Sequence, residues 1–181
     1  MELLIQKSDY AKYRINKGGL SISNKFKKFL SWRTSTGRNM MDIAKIDQRI
    51  RLGAKLLSNY KDVLIIGTKF DEKYSKKFAE LMGFKFLSKF RCGMLSNPEY
   101  KGYLEPEIIF VTNTELLRNA ISEAELVGLP VIGYCNTDSN LSCIDYIIPI
   151  NTTSEKALAV AFWLIAKECL NKKITLEEFL E

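Results

Sequence analysis

The sequence predicts an α/β fold, a mostly parallel sheet with helices on both faces, preceded by an extended basic arm. Three observations carry that expectation. Continuous apolar runs of strand length recur in "DVLIIGT", "EIIFVTN" and "VIGYC", and unbroken runs suit strands buried on both faces. Segments of helical spacing lie between them, an order that yields parallel pairing. Glycine and proline mark the joints: Gly83 and Gly128 stand as helix stops, and Pro130 blocks continuation. The architecture is Rossmann-like (flavodoxin-like), and its strand C-termini gather at one edge.

Residues 1–37 show no sustained period. "NKGGLSISNKFKKF" reads as a mobile or partner-ordered segment. Phe26, Phe29 and Trp32 sit there among Lys25, Lys27, Lys28 and Arg33. Such rings either stack on RNA bases or pin the arm to the domain. "GRNMMDI" reads as a short strand over 38–43. From Lys45 onward, Ile46, Ile50, Ala54 and Leu57 follow helical spacing, while Lys45, Asp47, Arg49, Arg51 and Lys55 fall largely elsewhere.

The strand in "DVLIIGT" precedes a helix over 71–82, with Tyr74, Phe78 and Leu81 inward and Asp71 or Thr68 as cap. "FKFLSKF" is a short strand, and 91–103 is a loop rich in Gly, Asn and Pro. After the strand in "EIIFVTN", a helix in "TELLRNAISEAELVG" puts Leu117, Ala120, Ile121, Ala124 and Val127 on one side. "VIGYC" and "CIDYIIPI" are strands. Thr152 and Glu155 have capping-box spacing. The helix they open is apolar nearly all round over 157–166, which calls for burial, so Phe162 and Trp163 read as core. An acidic tail, "ITLEEFLE", ends the chain. The expected organisation is a basic arm at 1–37, a Rossmann-like α/β domain at 38–173 and an acidic tail at 174–181.

With 181 residues, 46% of them apolar, the chain can build one domain core. No apolar run nears the roughly 18 to 20 residues of a membrane span, and "MELLIQKSDY" lacks a signal-peptide layout. A cytoplasmic protein is expected. The net charge of +6 is local: residues 1–38 hold nine basic and two acidic residues, the remainder 18 basic and 19 acidic. A basic segment on a near-neutral body indicates either a polyanionic partner or a solvated terminus. Cys92, Cys135, Cys143 and Cys169 form no C-x-x-C pair, and there is no histidine. That argues against a zinc site and removes the usual general base near neutral pH. Reduced, mostly buried thiols are expected.

The strand-end loops are Gly67–Phe70, Thr112–Thr114, Asn136–Leu141 and Asn151–Thr152. They contain neither G-x-G-x-x-G nor G-x-x-x-x-G-K-[ST]. "IIGTKFDEK" offers one glycine and reads as a βα turn. Asp138 lies in a turn where Asp commonly bonds backbone. Asp145 caps or anchors the strand it begins. Cys135 and Ser139 are nucleophile candidates without an evident base. No catalytic, metal or cofactor residues are expected. The alternative is a small-molecule-binding or enzymatic domain that uses Thr137, Asp138 and Asn151.

Jointly, several motifs resemble the small-subunit ribosomal protein two family in its archaeal and eukaryotic form, related to the laminin-receptor precursor. They are Gly128-Leu129-Pro130, Asn136-Thr137-Asp138, Ile144-Asp145, Ile148-Pro149-Ile150-Asn151 and Trp163, with Glu105-Pro106 and Glu123-Ala124. Lys89-Phe90-Arg91-Cys92-Gly93-Met94-Leu95-Ser96-Asn97 is similar to the family's Arg-Phe-x-Pro-Gly-Thr-x-Thr-Asn, with Cys92 and Met94 as departures. Asn16-Lys17-Gly18-Gly19 stands where the family has His-x-Gly-Gly, and Asn113-Thr114 where it has Asp-Pro. The resemblance implies a structural, non-enzymatic component of the small ribosomal subunit. Such a component binds ribosomal RNA and neighbouring ribosomal proteins, without membrane or small-molecule substrate. Lys17, Lys25, Lys27, Lys28, Arg33 and Arg38 are expected to contact RNA phosphates, with Lys69, Arg91 and Lys101 in second place.

Overall fold

In chain order, the helix α1 (Lys7–Lys12), a 3₁₀ turn (Asn24–Phe29) and a hairpin of β1 (Leu30–Arg33) and β2 (Asn39–Met41) come first. The α/β body runs α2 (Ile43–Ser58), β3 (Val63–Ile66), α3 (Glu72–Met82), β4 (Lys85–Leu87), β5 (Ile108–Val111), α4 (Arg118–Val127), β6 (Val131–Cys135), β7 (Tyr146–Pro149) and α5 (Glu155–Leu170). α6 (Leu176–Leu180) follows. The structure is a computed structural model that describes residues 3–170 and 175–180.

The body is built on a five-stranded, all-parallel sheet in the order β4-β3-β5-β6-β7. Counted within the sheet this is the flavodoxin-like order, with its direction switch between β3 and β5. Alternate residues of each strand serve opposite faces. Val63, Ile65, Phe110, Ile132 and Tyr134 join one buried cluster, and Leu64, Ile66, Ile109, Val111 and Val131 join the other. Both faces are covered, which is why these strands read as unbroken apolar runs.

α2 and α3 both pack against α5, and together these helices cover the first face. α5 lies between its neighbours, so every residue from Ala157 to Ala166 is buried. Phe78, Phe110, Tyr134 and Phe162 meet beneath it, with ring centroids 4.9 Å apart for Phe110 and Tyr134 and 5.2 Å for Phe78 and Phe162. Burying one such ring stabilises the fold by about 1.5 to 3 kcal/mol. On the second face, Ala120, Ile121 and Ala124 of α4 pack with Leu95 from the loop after β4.

The segment expected as mobile or partner-ordered is folded onto the body, with Phe26 and Phe29 in the pinning role given above as the alternative. Tyr10, Ile15, Phe26, Phe29 and Met41 are buried in the same cluster as α2 and α5. The 3₁₀ turn explains how: at three residues per turn, positions i and i+3 eclipse. Phe26 and Phe29 therefore point the same way and meet edge to face at 5.3 Å.

Other expectations also change. Asp47 is buried, although its place off the apolar stripe suggested solvent; its carboxylate accepts bonds from Leu4 N, Tyr10 Oη and Arg51 Nε. Leu81 is exposed, and Ser75 and Ala79 face inward with Phe78 instead. Thr152 and Glu155 do not form a capping box, because α5 begins at Glu155 and the Ser154 carbonyl accepts its first bond, from Leu158 N. The expected tail begins outside the described residues, but Phe179 of α6 is buried and stacks near Tyr74.

Candidate nucleic-acid interface

The β6 and β7 part of the strand-end edge is covered by the chain's own N-terminal segment. Residues 14–23 cross the C-terminal ends of β6 and β7 and are fixed there by hydrogen bonds. Asn151 Nδ2 donates to the Arg14 carbonyl and Asn151 N to the Ile15 carbonyl, both at 3.0 Å. Gly19 N donates to Thr137 Oγ1 at 2.8 Å, and Ser23 N to the Thr137 carbonyl at 2.8 Å. The buried Asn39 side chain donates to the Gly19 and Leu20 carbonyls. A Cβ on Gly18 would lie 2.4 Å from Thr137 Cγ2 and 3.0 Å from the Asn39 carbonyl oxygen. Only a glycine lets the backbone come this close. The Gly18-Gly19 pair and the Asn136-Thr137-Asp138 loop are thus two halves of one contact.

Several other polar groups of these loops are also committed to structure, while the Thr112 and Thr114 hydroxyls are buried without a hydrogen-bond partner among the described residues. Asn113 Oδ1 accepts from Glu115 N and Leu116 N, and at the opposite edge, where β6 and β7 begin, Asp145 Oδ2 accepts from Val131 N. Buried Asp71 accepts from Thr68 N at 2.9 Å, from the Thr68 hydroxyl and from Ser75 Oγ, tying the βα turn to α3. Ser139 Oγ accepts from Asn136 N. Burial pushes the Cys135 thiol up to about 12, far from the thiolate a nucleophile needs. Asp138 is exposed beside Gly19.

The expected cations lie on the outer surface in two places. Lys25, Lys27 and Lys28 are exposed on the 3₁₀ turn whose rings are buried. Lys28 Nζ sits 5.1 Å above the Phe29 ring. Arg33 and Arg38 are exposed on either side of the β1–β2 turn; the Arg33 guanidinium donates to the Gly37 carbonyl at 2.7 Å and the Leu20 carbonyl at 3.3 Å. Lys17 is half-buried and bridges to Met40 at the hairpin's inner side. Of the three aromatic residues in this stretch, Trp32 alone is free to stack, at 59% exposure.

Sequence reasoning missed two residues of this group. The Arg49 guanidinium is held between the rings of Phe29 and Tyr146, 5.3 and 4.9 Å from their centroids. Lys45 Nζ donates to the Lys28 carbonyl. Both belong to the charged set of α2, but only the docking of the 3₁₀ turn brings them beside Lys28.

The second place is the loop between β4 and β5. Arg91 and Lys101 are exposed there with Lys89, and the three line an open cavity of about 830 Å³. Lys69 is exposed in the turn after β3. A cavity of about 290 Å³ at the switch point, lined by Gly67, Thr68 and Leu117, shares Ser88 and Lys89 with the larger one. The loop is fixed by Glu123 of α4, 8% exposed, whose carboxylate accepts from Gly93 N at 2.6 Å, Leu95 N at 3.3 Å and Ser96 Oγ at 3.3 Å. Gly93 holds a φ of 91°, which a side chain resists.

These features define a class: an α/β scaffold whose β6 and β7 strand ends are covered by its own chain and whose outer surface displays cations. Residues 100–171 match the family model described as Ribosomal protein S2. Small ribosomal subunit protein uS2 of Ignicoccus hospitalis is 35% identical over 175 residues, covering 94% of this chain and 82% of the relative. Its counterpart in Nanoarchaeum equitans is 33% identical over 177 residues, covering 96% and 88%. That of Saccharolobus solfataricus is 30% identical over 177 residues, covering 96% and 77%. The chain belongs to the ribosomal protein S2 family.

Proposed function

We propose that this protein is a structural, non-enzymatic constituent of the small ribosomal subunit, binding ribosomal RNA and neighbouring ribosomal proteins on cytoplasmic ribosomes. The observation that carries the RNA assignment is the 3₁₀ turn. Phe26 and Phe29 are buried, which fixes Lys25, Lys27 and Lys28 outward on a rigid support with Lys45 and Arg49 beside them. Phosphate oxygens are the natural partners of such a surface, and contacts to them set position rather than sequence. Lys17, Arg33 and Arg38 extend the surface along the hairpin, and Trp32 adds a ring for an unpaired base. Lys69, Arg91 and Lys101 form the second contact. Against the small-molecule alternative stands the filling of the Thr137 and Asn151 edge by residues 14–23.

Filter binding to small-subunit RNA across a salt series tests this. Each phosphate contact releases counterions, so affinity falls linearly with salt on a logarithmic plot. Replacing Lys25, Lys27 and Lys28 by Ala should reduce the slope by about 2 to 3. An unchanged slope and affinity would remove the 3₁₀ turn from the interface.

A further inference from the structure

Between β4 and β5 about 20 residues run without helix or strand, in a domain where connections are normally much shorter. Long irregular loops that stay ordered usually carry function. This one is ordered. Besides the Glu123 bonds, Met94 N donates to the Arg91 carbonyl, Asn97 N to the Gly93 carbonyl, Tyr100 N to the Asn97 carbonyl and Leu104 N to the Met94 carbonyl. Met94 and Leu95 are buried beneath it. A Cβ at Gly102 would fall 2.9 Å from Tyr100 Cε1, so the Tyr100 ring lies directly over the Gly102 backbone. The outer face of this framework is the cavity of about 830 Å³.

Its lining combines two chemistries. Lys89, Arg91 and Lys101 form no ion pair among the described residues, and one acid, Glu99, lines the cavity with them. Tyr100 supplies a flat ring, and Asn97 supplies an amide. Asn97 Oδ1 already accepts from Glu99 N, which directs its amide group elsewhere. Uncompensated cations around a ring and an amide fit a phosphorylated nucleoside: anionic at one end, planar and hydrogen-bonding at the other. A duplex backbone would meet the cations but has no use for a ring inside a concavity.

We propose that this cavity receives an unpaired nucleotide of RNA, its base over Tyr100 and its flanking phosphates on Lys89, Arg91 and Lys101. The inference rests on the ribosomal reading and deepens it. The cavity, unlike the 3₁₀ turn, selects single-stranded over double-stranded RNA.

A short single-stranded RNA carrying 2-aminopurine, a duplex of equal length and adenosine monophosphate are the probes. They are titrated against the full chain and against Tyr100→Ala, Tyr100→Phe, Arg91→Ala and the Lys25, Lys27 and Lys28 triple Ala variant. Thermal melts confirm that each variant is folded. Tyr100→Ala should weaken single-strand binding by about 5- to 150-fold, the range of a base–aromatic stack, and abolish 2-aminopurine quenching. Tyr100→Phe should retain both, and duplex affinity should not change. Arg91→Ala reads the same site without touching the ring: it should weaken the single strand and lower its salt slope by about 1. The proposal is overturned if Tyr100→Ala and Arg91→Ala bind the single strand like the parent. It is also overturned if adenosine monophosphate binds as tightly as the oligonucleotide. If those variants are silent while the triple variant loses RNA, the cavity assignment fails and the ribosomal reading stands. If no variant and no probe shows RNA binding at low salt, both fail.

Discussion

Replacing Asp47 by Ala should detach the beginning of the chain from the body, and the structure gives the size of the effect. Asp47 is 3% exposed, and its carboxylate accepts three hydrogen bonds: Leu4 N at 2.8 Å, Tyr10 Oη at 2.9 Å and Arg51 Nε at 2.9 Å. In the variant the Tyr10 hydroxyl, fully buried, has lost its acceptor, at a cost of about 1 to 3 kcal/mol. Leu4 N is partly buried and contributes less, and Arg51, 32% exposed, turns to water. The total is about 2 to 4 kcal/mol. For a chain of this size that lowers Tm by about 6 to 12 °C. Adding Tyr10→Phe removes the orphaned hydroxyl, so the double variant should melt above Asp47→Ala alone. Differential scanning calorimetry of the parent, both single variants and the double variant completes the cycle. Additive losses, or a single variant that melts with the parent, would show that Asp47 does not fasten this segment.

Gly18→Ala places a methyl group 2.4 Å from Thr137 Cγ2, so it should lower Tm and speed hydrogen exchange at Gly19 and Ser23; Thr137→Ser, which removes that carbon, should relieve part of the loss. Glu123→Ala leaves Gly93 N and Leu95 N without acceptors, costing about 1 to 3 kcal/mol. Limited proteolysis should then cut within 91–104, where the parent resists. The thiols divide by exposure: Cys92 and Cys143 should react with Ellman's reagent in the native state, and Cys135 only on unfolding. Burial raises Cys135 from 9.0 to about 12. Its neutral form therefore stabilises the fold fully below pH 9. That stability is lost between pH 9 and 12 at about 1.4 kcal/mol per pH unit. Cys135→Ala should flatten this part of the stability–pH curve.

The body was legible because its signals are local. Apolar runs such as that of Val63–Ile66 need only a covered sheet to become central strands, and Gly83 and Gly128 adopt the left-handed conformation that ends a helix, with φ of 72° and 74°. In the N-terminal segment, pinning of the arm by its rings was one of two open readings, and the choice between them was illegible for a matching reason. A 3₁₀ turn has neither the helical nor the strand period, and the burial of Phe26 and Phe29 depends on α2 and β7, far away in sequence. Asp47 fell off the apolar stripe, and helical spacing shows for neither it nor Glu123 that a distant segment will cover the side chain. Each became the acceptor that holds such a segment. At the candidate interface, the sequence names the cations but does not show how they group on the surface. Arg49 gains its place only from two rings contributed by other elements.

The most direct test is amide hydrogen exchange of the protein, free and assembled into small subunits. In the free protein, Gly18, Gly19 and Ser23 should exchange slowly, because they are already bonded to Asn39 and Thr137. On assembly, protection should spread to 24–38 and 89–101. Exchange of residues 14–23 at unprotected rates in the free chain, or no added protection over the two basic regions in the particle, would contradict an anchored cationic surface facing RNA.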